Sequence, residues 1–163
     1  MITFTDLREA GTEQTLAWLT ALSENLRPSD RDEIAATHDL DPLLSLTTSV
    51  MLSDMAWIIH ADGAPVAVFG CASSGCPGSG LVWMMGTPAM DVRPTALGIA
   101  RATLPYLRRM HALYPCLWNH IDARNEKSMT WLRWSGFRLL EAHPEHGRER
   151  RLFFTFARYD PHV

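Results

Sequence analysis

Apolar positions along the chain change period several times, and each change marks a different kind of element. Ile2 to Phe4 alternates and predicts a short first strand. From Thr12 the spacing lengthens. Leu16, Leu19 and Leu22, with Ala17 and Trp18, suit an amphipathic helix, and Thr12 stands where an N-cap belongs. Arg27-Pro28-Ser29-Asp30 breaks that pattern, and Ser29, three residues before Asp32, opens a second short helix toward Thr37. Asp41-Pro42 opens a third. Asp41 is its N-cap, Pro42 its first helical residue, and Leu43, Leu44, Leu46, Val50 and Met51 supply its apolar positions. Residues 1–54 thus read as a mainly helical N-terminal part.

After Met55 the period shortens. Ala56 to His60 is an apolar run, Ala61-Asp62-Gly63 a hairpin turn, and Pro65 to Cys71 a second run. A Gly/Ser loop over Ala72–Ser79 leads to a third strand at Leu81–Met85. Gly86 to Pro94 reads as irregular. Thr95 to Met110 reads as a long helix with Leu97, Ile99, Ala100, Leu104, Leu107 and Met110 inward, and Pro105 predicts a kink or break within it.

The stretch from Leu117 to Phe137 condenses the pattern. A strand over Pro115–Ile121 stops at Asp122-Ala123-Arg124-Asn125, a helix runs from Glu126 to Trp134, and Gly136 ends it. Asn125 caps that helix, Ser128 is small enough for close packing, and Gly136 supplies a left-handed stop sealed by Phe137. Phe137 to Ala142 reads as a strand, His143 to Gly147 as a polar turn, and Arg151 to Ala157 as the last strand. The order predicts one domain over 1–163, an α+β fold with a mixed sheet core at 55–157. The strand before Gly86 and the strand at Leu117 should be parallel neighbours, because a long helix crosses between them.

That order, with Asn125, Ser128, Trp131, Leu132, Gly136 and Phe137 at their intervals, resembles the GNAT (Gcn5-related N-acetyltransferase) superfamily over roughly residues 55 to 157. The resemblance implies a GNAT-like, acyl-CoA N-acyltransferase fold: a mixed central sheet flanked by helices. A narrower resemblance rests on Leu26 to Ile34, Gly86-Thr87, Tyr114-Pro115, Asn119, Asn125 and Gly136-Phe137. These are similar to the internal virion protein A family of tailed phages, which implies a phage or prophage gene and virion proteins as partners.

Composition narrows the choice. The chain has 163 residues, 47% of them hydrophobic and 20% charged, which is enough apolar material for a real core. The net charge of -3 argues against nucleic acid as the main ligand. No apolar run reaches membrane-spanning length, and Met1 to Gly11 lacks a secretory signal pattern. Cys71, Cys76 and Cys116 are an odd number with no zinc spacing, so they read as reduced thiols of a cytoplasmic protein.

The resemblance also directs attention to particular residues. GNAT enzymes bind the pyrophosphate of acetyl-CoA on backbone N–H groups at the start of the long helix, where an anion suits the helix N-terminus. The matching stretch is Arg93-Pro94-Thr95-Ala96-Leu97-Gly98. Arg93 and Gly98 fit the family pattern, Ala96 replaces a Gly, and Pro94 removes a donor. The alternative for the same residues is an ordinary helix start capped by Thr95. The resemblance further implies that a strand N–H at Met85 or Gly86 polarises the acyl carbonyl, and that Asn125 and Ser128 sit beside the cofactor.

The Tyr that many of these enzymes use as general acid falls at Leu132, which holds no proton to give, and Ser128 is the nearest hydroxyl. The candidate bases are His120 and Asp122, two apart on one strand face, then Glu141, and His60 at its strand end. The same His120 and Asp122 serve equally well as strand-end groups that satisfy loop backbone. Asn119, on the opposite face, is placed to bridge splayed strands. His143, Glu145 and His146 are ligand-type residues confined to one turn with no partner from elsewhere in the chain, so no metal is expected. Two classes of function follow: an acetyl-CoA-dependent N-acetyltransferase of a small-molecule or protein amine, or a non-catalytic virion assembly protein that keeps the fold. The resemblance also raises a homodimer, with the last apolar strand as a possible edge.

Overall fold

Asp41 caps its helix as its place before Pro42 predicts, with Oδ1 accepting the N–H groups of Leu43 at 2.9 Å and Leu44 at 3.1 Å. The other N-terminal caps differ from expectation. In the computed structural model, which describes residues 1–160, Thr12 is already helical and Gly11 precedes it, while the second helix starts at Pro28 rather than Ser29. The N-terminal elements are β1 (Ile2–Asp6), α1 (Thr12–Glu24), α2 (Pro28–Thr37) and α3 (Pro42–Leu52).

Then come β2 (Met55–Ala61), β3 (Ala64–Ser73) and β4 (Ser79–Gly86), a short 3-10 turn at Pro88–Asp91, α4 (Arg93–Leu113), β5 (Cys116–Asp122), α5 (Glu126–Trp134), β6 (Arg138–His146) and β7 (Arg151–Tyr159). The β2–β3 hairpin turns on Asp62 at φ 50° and Gly63 at φ 86°, the two positive φ values that a tight hairpin of this hand needs. The seven strands form one mixed sheet in the order β1-β2-β3-β4-β5-β7-β6. The β4–β5 pair is parallel, as the α4 crossover predicts, and the other pairs are antiparallel.

Helices cover both faces. Trp57 and Ile59 join Ile99, Leu107 and Met110 of α4 and Met129 and Leu132 of α5 in one core. Ile58 and Val68 join Leu19, Leu22, Ile34 and Leu46 of α1 to α3 in the other. The period-2 alternation of β2 therefore divides its side chains between two cores. The α5 terminus closes as its residues require: Phe137 N donates to Leu132 O at 2.9 Å, Gly136 N to Arg133 O at 3.2 Å, and Gly136 takes φ 92°.

Four expectations need correction. The last apolar strand, β7, lies between β5 and β6 and is not a sheet edge. Helix α4 begins at Arg93 with Val92 as its cap, so Thr95 lies inside the first turn, and Leu97 faces solvent. Pro105 does not break α4. It is exposed, so the Arg101 carbonyl it deprives of a partner lies on the solvent side. Strand β6 runs on through His143 and Pro144 to His146, where a polar turn was expected. Register shifts absorb the irregularity, and an edge strand tolerates Pro. No helix among the described residues is long and apolar enough to cross a membrane.

Candidate functional site

Strands β4 and β5 pair only over Ser79–Leu81 and Cys116–Trp118. Beyond that, each keeps its other neighbour: β4 follows β3 to Gly86, and β5 follows β7 to Asp122. A wedge opens between them. At its apex Asn119 spans the gap as its alternation predicts, with Nδ2 donating to Val82 O at 3.0 Å and Oδ1 accepting the His120 N–H at 2.8 Å. A cavity of about 670 Å³ fills the wedge and extends to both faces of the sheet. Val82 and Gly86 turn their peptide groups away from β3, so the alternation of β4 also points the Met84 N–H and C=O into the wedge.

The wide end of the wedge is held by α2. Arg27 N donates to Gly86 O at 2.9 Å. Asp30 Oδ2 accepts the Gly86 N–H at 2.8 Å and Arg27 Nε at 2.9 Å. The Arg27 guanidinium also reaches Asp91 Oδ1 at 3.0 Å and Ser128 Oγ at 2.8 Å. One turn on, Glu33 accepts the Asp122 N–H and Asn125 Nδ2, each at 3.1 Å. Arg27, Asp30 and Glu33 thus tie the open ends of β4 and β5 to α5 through one face of a short helix.

The electrostatics of this knot are uneven. Burial disfavours the Arg27 charge, but Asp30 and Asp91 outweigh it and hold the guanidinium cationic. Burial pushes the Asp30 carboxyl above its usual range against the pull of Arg27. Glu33 has no cation in contact, and burial pushes it up to about 7 despite its two donors. These three residues were not among the candidates read from the sequence. The available signal is their three-residue spacing, Arg27-x-x-Asp30-x-x-Glu33, which puts all three on one face of an otherwise polar helix.

On the α4 and α5 face of the wedge, the start of α4 offers fewer donors than the resemblance implies. Val92 N donates to Ala89 O and Ala96 N to Val92 O, and Leu97 and Gly98 lie within the helix, whose own ladder takes their N–H groups. With Pro94 lacking an N–H, Arg93 and Thr95 supply the first-turn donors that point outward. Gly98 faces β1, where an added Cβ would meet Ile2 Cγ1 at 2.9 Å, so its smallness serves helix–strand packing. Asn125 caps α5, Oδ1 accepting the Ser128 N–H at 3.3 Å. Leu132 is buried in the core.

On the α2 face the expected His120–Asp122 pair does not form. Asp122 is held by Arg124, whose NH2 lies 2.6 Å from Oδ2 and whose N–H donates to Oδ1 at 2.9 Å, so the strand-end alternative describes Asp122 better. Burial opposes the Asp122 charge, but Arg124 keeps its carboxyl below the usual range. His120 lines the cavity and meets Thr155 instead, Nδ1 to Oγ1 at 3.2 Å. Glu141 is exposed on β6, 3.9 Å from His143 Nε2, and does not line the cavity. The Gly86 N–H lies on the wedge side but is taken by Asp30, and the Met85 peptide turns toward β3, so neither is free to polarise a carbonyl as the resemblance implies. Met85 contributes its side chain to the cavity wall.

No protein-family model matches the chain, and no curated protein sequence matches it. Solved structures do. The chain resembles a ribosomal-protein-alanine N-acetyltransferase from Brucella melitensis at 14% identity and TM-score 0.69, covering 97% of this chain and 99% of that one. It resembles a GCN5-related N-acetyltransferase from Kribbella flavida at 16% identity and TM-score 0.65, covering 98% of each. It resembles Ard1 from Thermoplasma volcanium at 10% identity and TM-score 0.67, covering 97% of each. At these identities the likeness is one of fold, and the fold is that of the GNAT acyl-CoA N-acyltransferases.

Proposed function

We propose that the protein transfers an acyl group from acetyl-CoA to an amine. The observation that carries this reading is the wedge itself. Two parallel strands part above a bridging Asn119, and the Met84 N–H and C=O turn into the gap as a strand-like partner for an extended, amide-bearing chain. The cavity of about 670 Å³ falls in the range of small-molecule and cofactor sites. Solved structures of like fold include acetyltransferases, which supports the reaction class.

The residues present suit the arm of the cofactor better than its pyrophosphate. Met84 offers strand groups, while the α4 start offers only the Arg93 and Thr95 N–H groups, with the Arg93 side chain and Lys127 as cations nearby. When bound, acetyl-CoA supplies an activated thioester. The chain positions it along β4, keeps an open approach for the amine from the α2 face, and offers His120 and Glu33 as proton acceptors there. Leu132 donates no proton, so the sulfur leaves without a side-chain acid at that position. A role as a virion packing protein would need no such cavity, and no feature of the wedge favours it.

The test is direct. The melting temperature is measured with and without millimolar acetyl-CoA, and native-state binding raises it. A panel of primary amines is then followed for thiol release. No rise in melting temperature sinks the reading.

A further inference from the structure

His120, His143 and His146 come together on the α2 face of the sheet, outside the α2 knot. The rings of His120 and His143 lie 4.9 Å apart between centroids, those of His120 and His146 4.7 Å. One hydroxyl joins two of them. Thr155 Oγ1 lies 3.2 Å from His120 Nδ1 and 2.7 Å from His143 Nε2. His120 and Thr155 are direct cross-strand partners, so the β5–β7 register fixes that contact.

A hydroxyl carries one proton. If Thr155 donates to one imidazole, the other must donate to Thr155. The two rings are therefore coupled through a single shared proton position. His120 lines the cavity, while the side chain of His143 is 30% exposed, so the chain of contacts runs from cavity wall to surface.

On the reading of the wedge as an acyl-transfer site, we infer that His120, Thr155 and His143 form a proton relay that carries the attacking amine's proton out of the cavity. The amine nitrogen bonds to the acyl carbon, and the thioester C–S bond breaks with its electron pair going to sulfur. The amine's surplus proton goes to His120 Nε2. The proton on His120 Nδ1 passes to Thr155, the hydroxyl proton passes to His143 Nε2, and His143 releases its other proton to water. The leaving sulfur takes a proton from water, so protons balance with no further reactant.

The surroundings favour this direction. His120 faces His143, His146 and Glu141 of β6, and the same cavity wall carries Glu33 and His38 from α2 and its C-cap. Asp122, two residues along β5, is tied to Arg124 and does not reach the ring. Burial, then His146 and His143, lower the His120 pKa and keep it neutral, free to accept.

Three variants test the relay. Thr155→Val keeps the volume and removes the hydroxyl, Thr155→Ser keeps the hydroxyl, and His143→Gln cuts the outer end on an exposed strand. Imidazole nitrogen shifts are followed by NMR against pH in the intact protein. In the wild type and Thr155→Ser, His120 and His143 should each report the other's titration. In Thr155→Val the nitrogen-shift signature of the proton shared between His120 Nδ1 and His143 Nε2 should vanish, leaving only the through-space repulsion among the three rings, and in His143→Gln the His120 shifts should follow His146 alone. With an amine that supports turnover, Thr155→Val should lose at least about tenfold in kcat/KM with a shifted acid limb, part of the roughly 10²–10⁴-fold that general acid–base catalysis contributes. Thr155→Ser should restore it, and the acetyl-CoA melting shift should persist throughout. Unchanged His120 and His143 titrations in Thr155→Val, or in His143→Gln where the Val variant does not fold, overturn the relay. Absence of any acetyl-CoA melting shift sinks the acyl-transfer reading instead, and the imidazole titrations still decide whether the hydroxyl couples the rings.

Discussion

Asp30 accepts the backbone N–H of Gly86 at 2.8 Å, across 56 residues of sequence. The last peptide group of β4, which would otherwise open into the wedge, is therefore closed by a side chain from α2. The same carboxylate is the partner of the buried Arg27 at 2.9 Å.

Removing it should be costly. Asp30→Ala leaves Arg27 with Asp91 alone in a buried site, and it orphans the Gly86 N–H. Breaking a buried pair from one side costs about 3–5 kcal/mol. Asp30→Asn keeps an oxygen for Gly86 but not the charge, and should cost less. Urea denaturation of both variants orders them, and an Asp30→Ala loss below about 1 kcal/mol would mean that the knot carries little stability.

Glu33 makes stability depend on pH in the same sense as Asp30, whose carboxyl burial also raises. The folded pKa of Glu33, raised to about 7 by burial, lies above the ordinary carboxyl value. A carboxyl raised on folding contributes stability that is complete below its unfolded pKa and is lost as pH climbs through the folded one. Four buried or half-buried histidines act in the opposite sense. His60, His111, His120 and His146 are lowered, first of all by burial, so their contribution is lost as pH falls. The wild-type minus Glu33→Gln difference isolates the carboxyl. That difference in melting temperature should shift in favour of Glu33→Gln between about pH 5 and pH 8. A difference independent of pH would refute the raised pKa.

The two glycines nearest the wedge should respond in opposite ways. A Cβ at Gly86 would meet Val66 O at 2.5 Å and Met90 Sδ at 2.6 Å, and the carbonyl belongs to backbone that cannot yield easily. Gly86→Ala should destabilise by about 1–3 kcal/mol or more. At Gly98 the obstacle is an Ile2 side chain at 2.9 Å, and Ala gains about 1 kcal/mol of helix propensity in return. Gly98→Ala should change stability by under about 1 kcal/mol and leave the acetyl-CoA melting shift intact. A lost shift with retained stability would restore Gly98 to the phosphate role that the GNAT resemblance assigns it.

Readability in the sequence follows range. The Asp41 and Asn125 caps and the Gly136 stop depend on residues within one turn, and their spacing announces them. The parallel β4–β5 pair and the Asn119 bridge follow from connection and alternation, which are also local rules. The α2 knot is different. Arg27 meets Ser128 across 101 residues and Glu33 meets Asn125 across 92, so nothing near them names their partners. His143 and His146 were misplaced for a related reason: Pro144 and two polar neighbours look like a turn, but β7 pulls the segment into an edge strand. His120 stands out in the sequence beside Asp122, yet its partner is the hydroxyl opposite in register rather than the carboxylate next along the strand.

Asn119 should be sensitive to the kind of residue that replaces it. Its amide stands in for the backbone pairing that β4 and β5 lack beyond Leu81 and Trp118, donating to Val82 O at 3.0 Å and accepting His120 N at 2.8 Å. Asn119→Asp keeps the acceptor but sets a carboxylate against the Val82 carbonyl. Repulsion and an orphaned oxygen together should cost about 1–3 kcal/mol, and the added negative charge at the apex should weaken binding of an anionic CoA ester. Asn119→Ala removes both functions but leaves space at the wall of an open cavity, where water can satisfy Val82 and His120. It should cost nearer 1 kcal/mol and largely retain the acetyl-CoA shift. The bridge thus predicts that the near-isosteric Asp is worse than the truncated Ala in both denaturation midpoint and ligand-induced melting shift. The reverse order would show that side-chain volume, not the donated hydrogen bond, holds the strands at the apex.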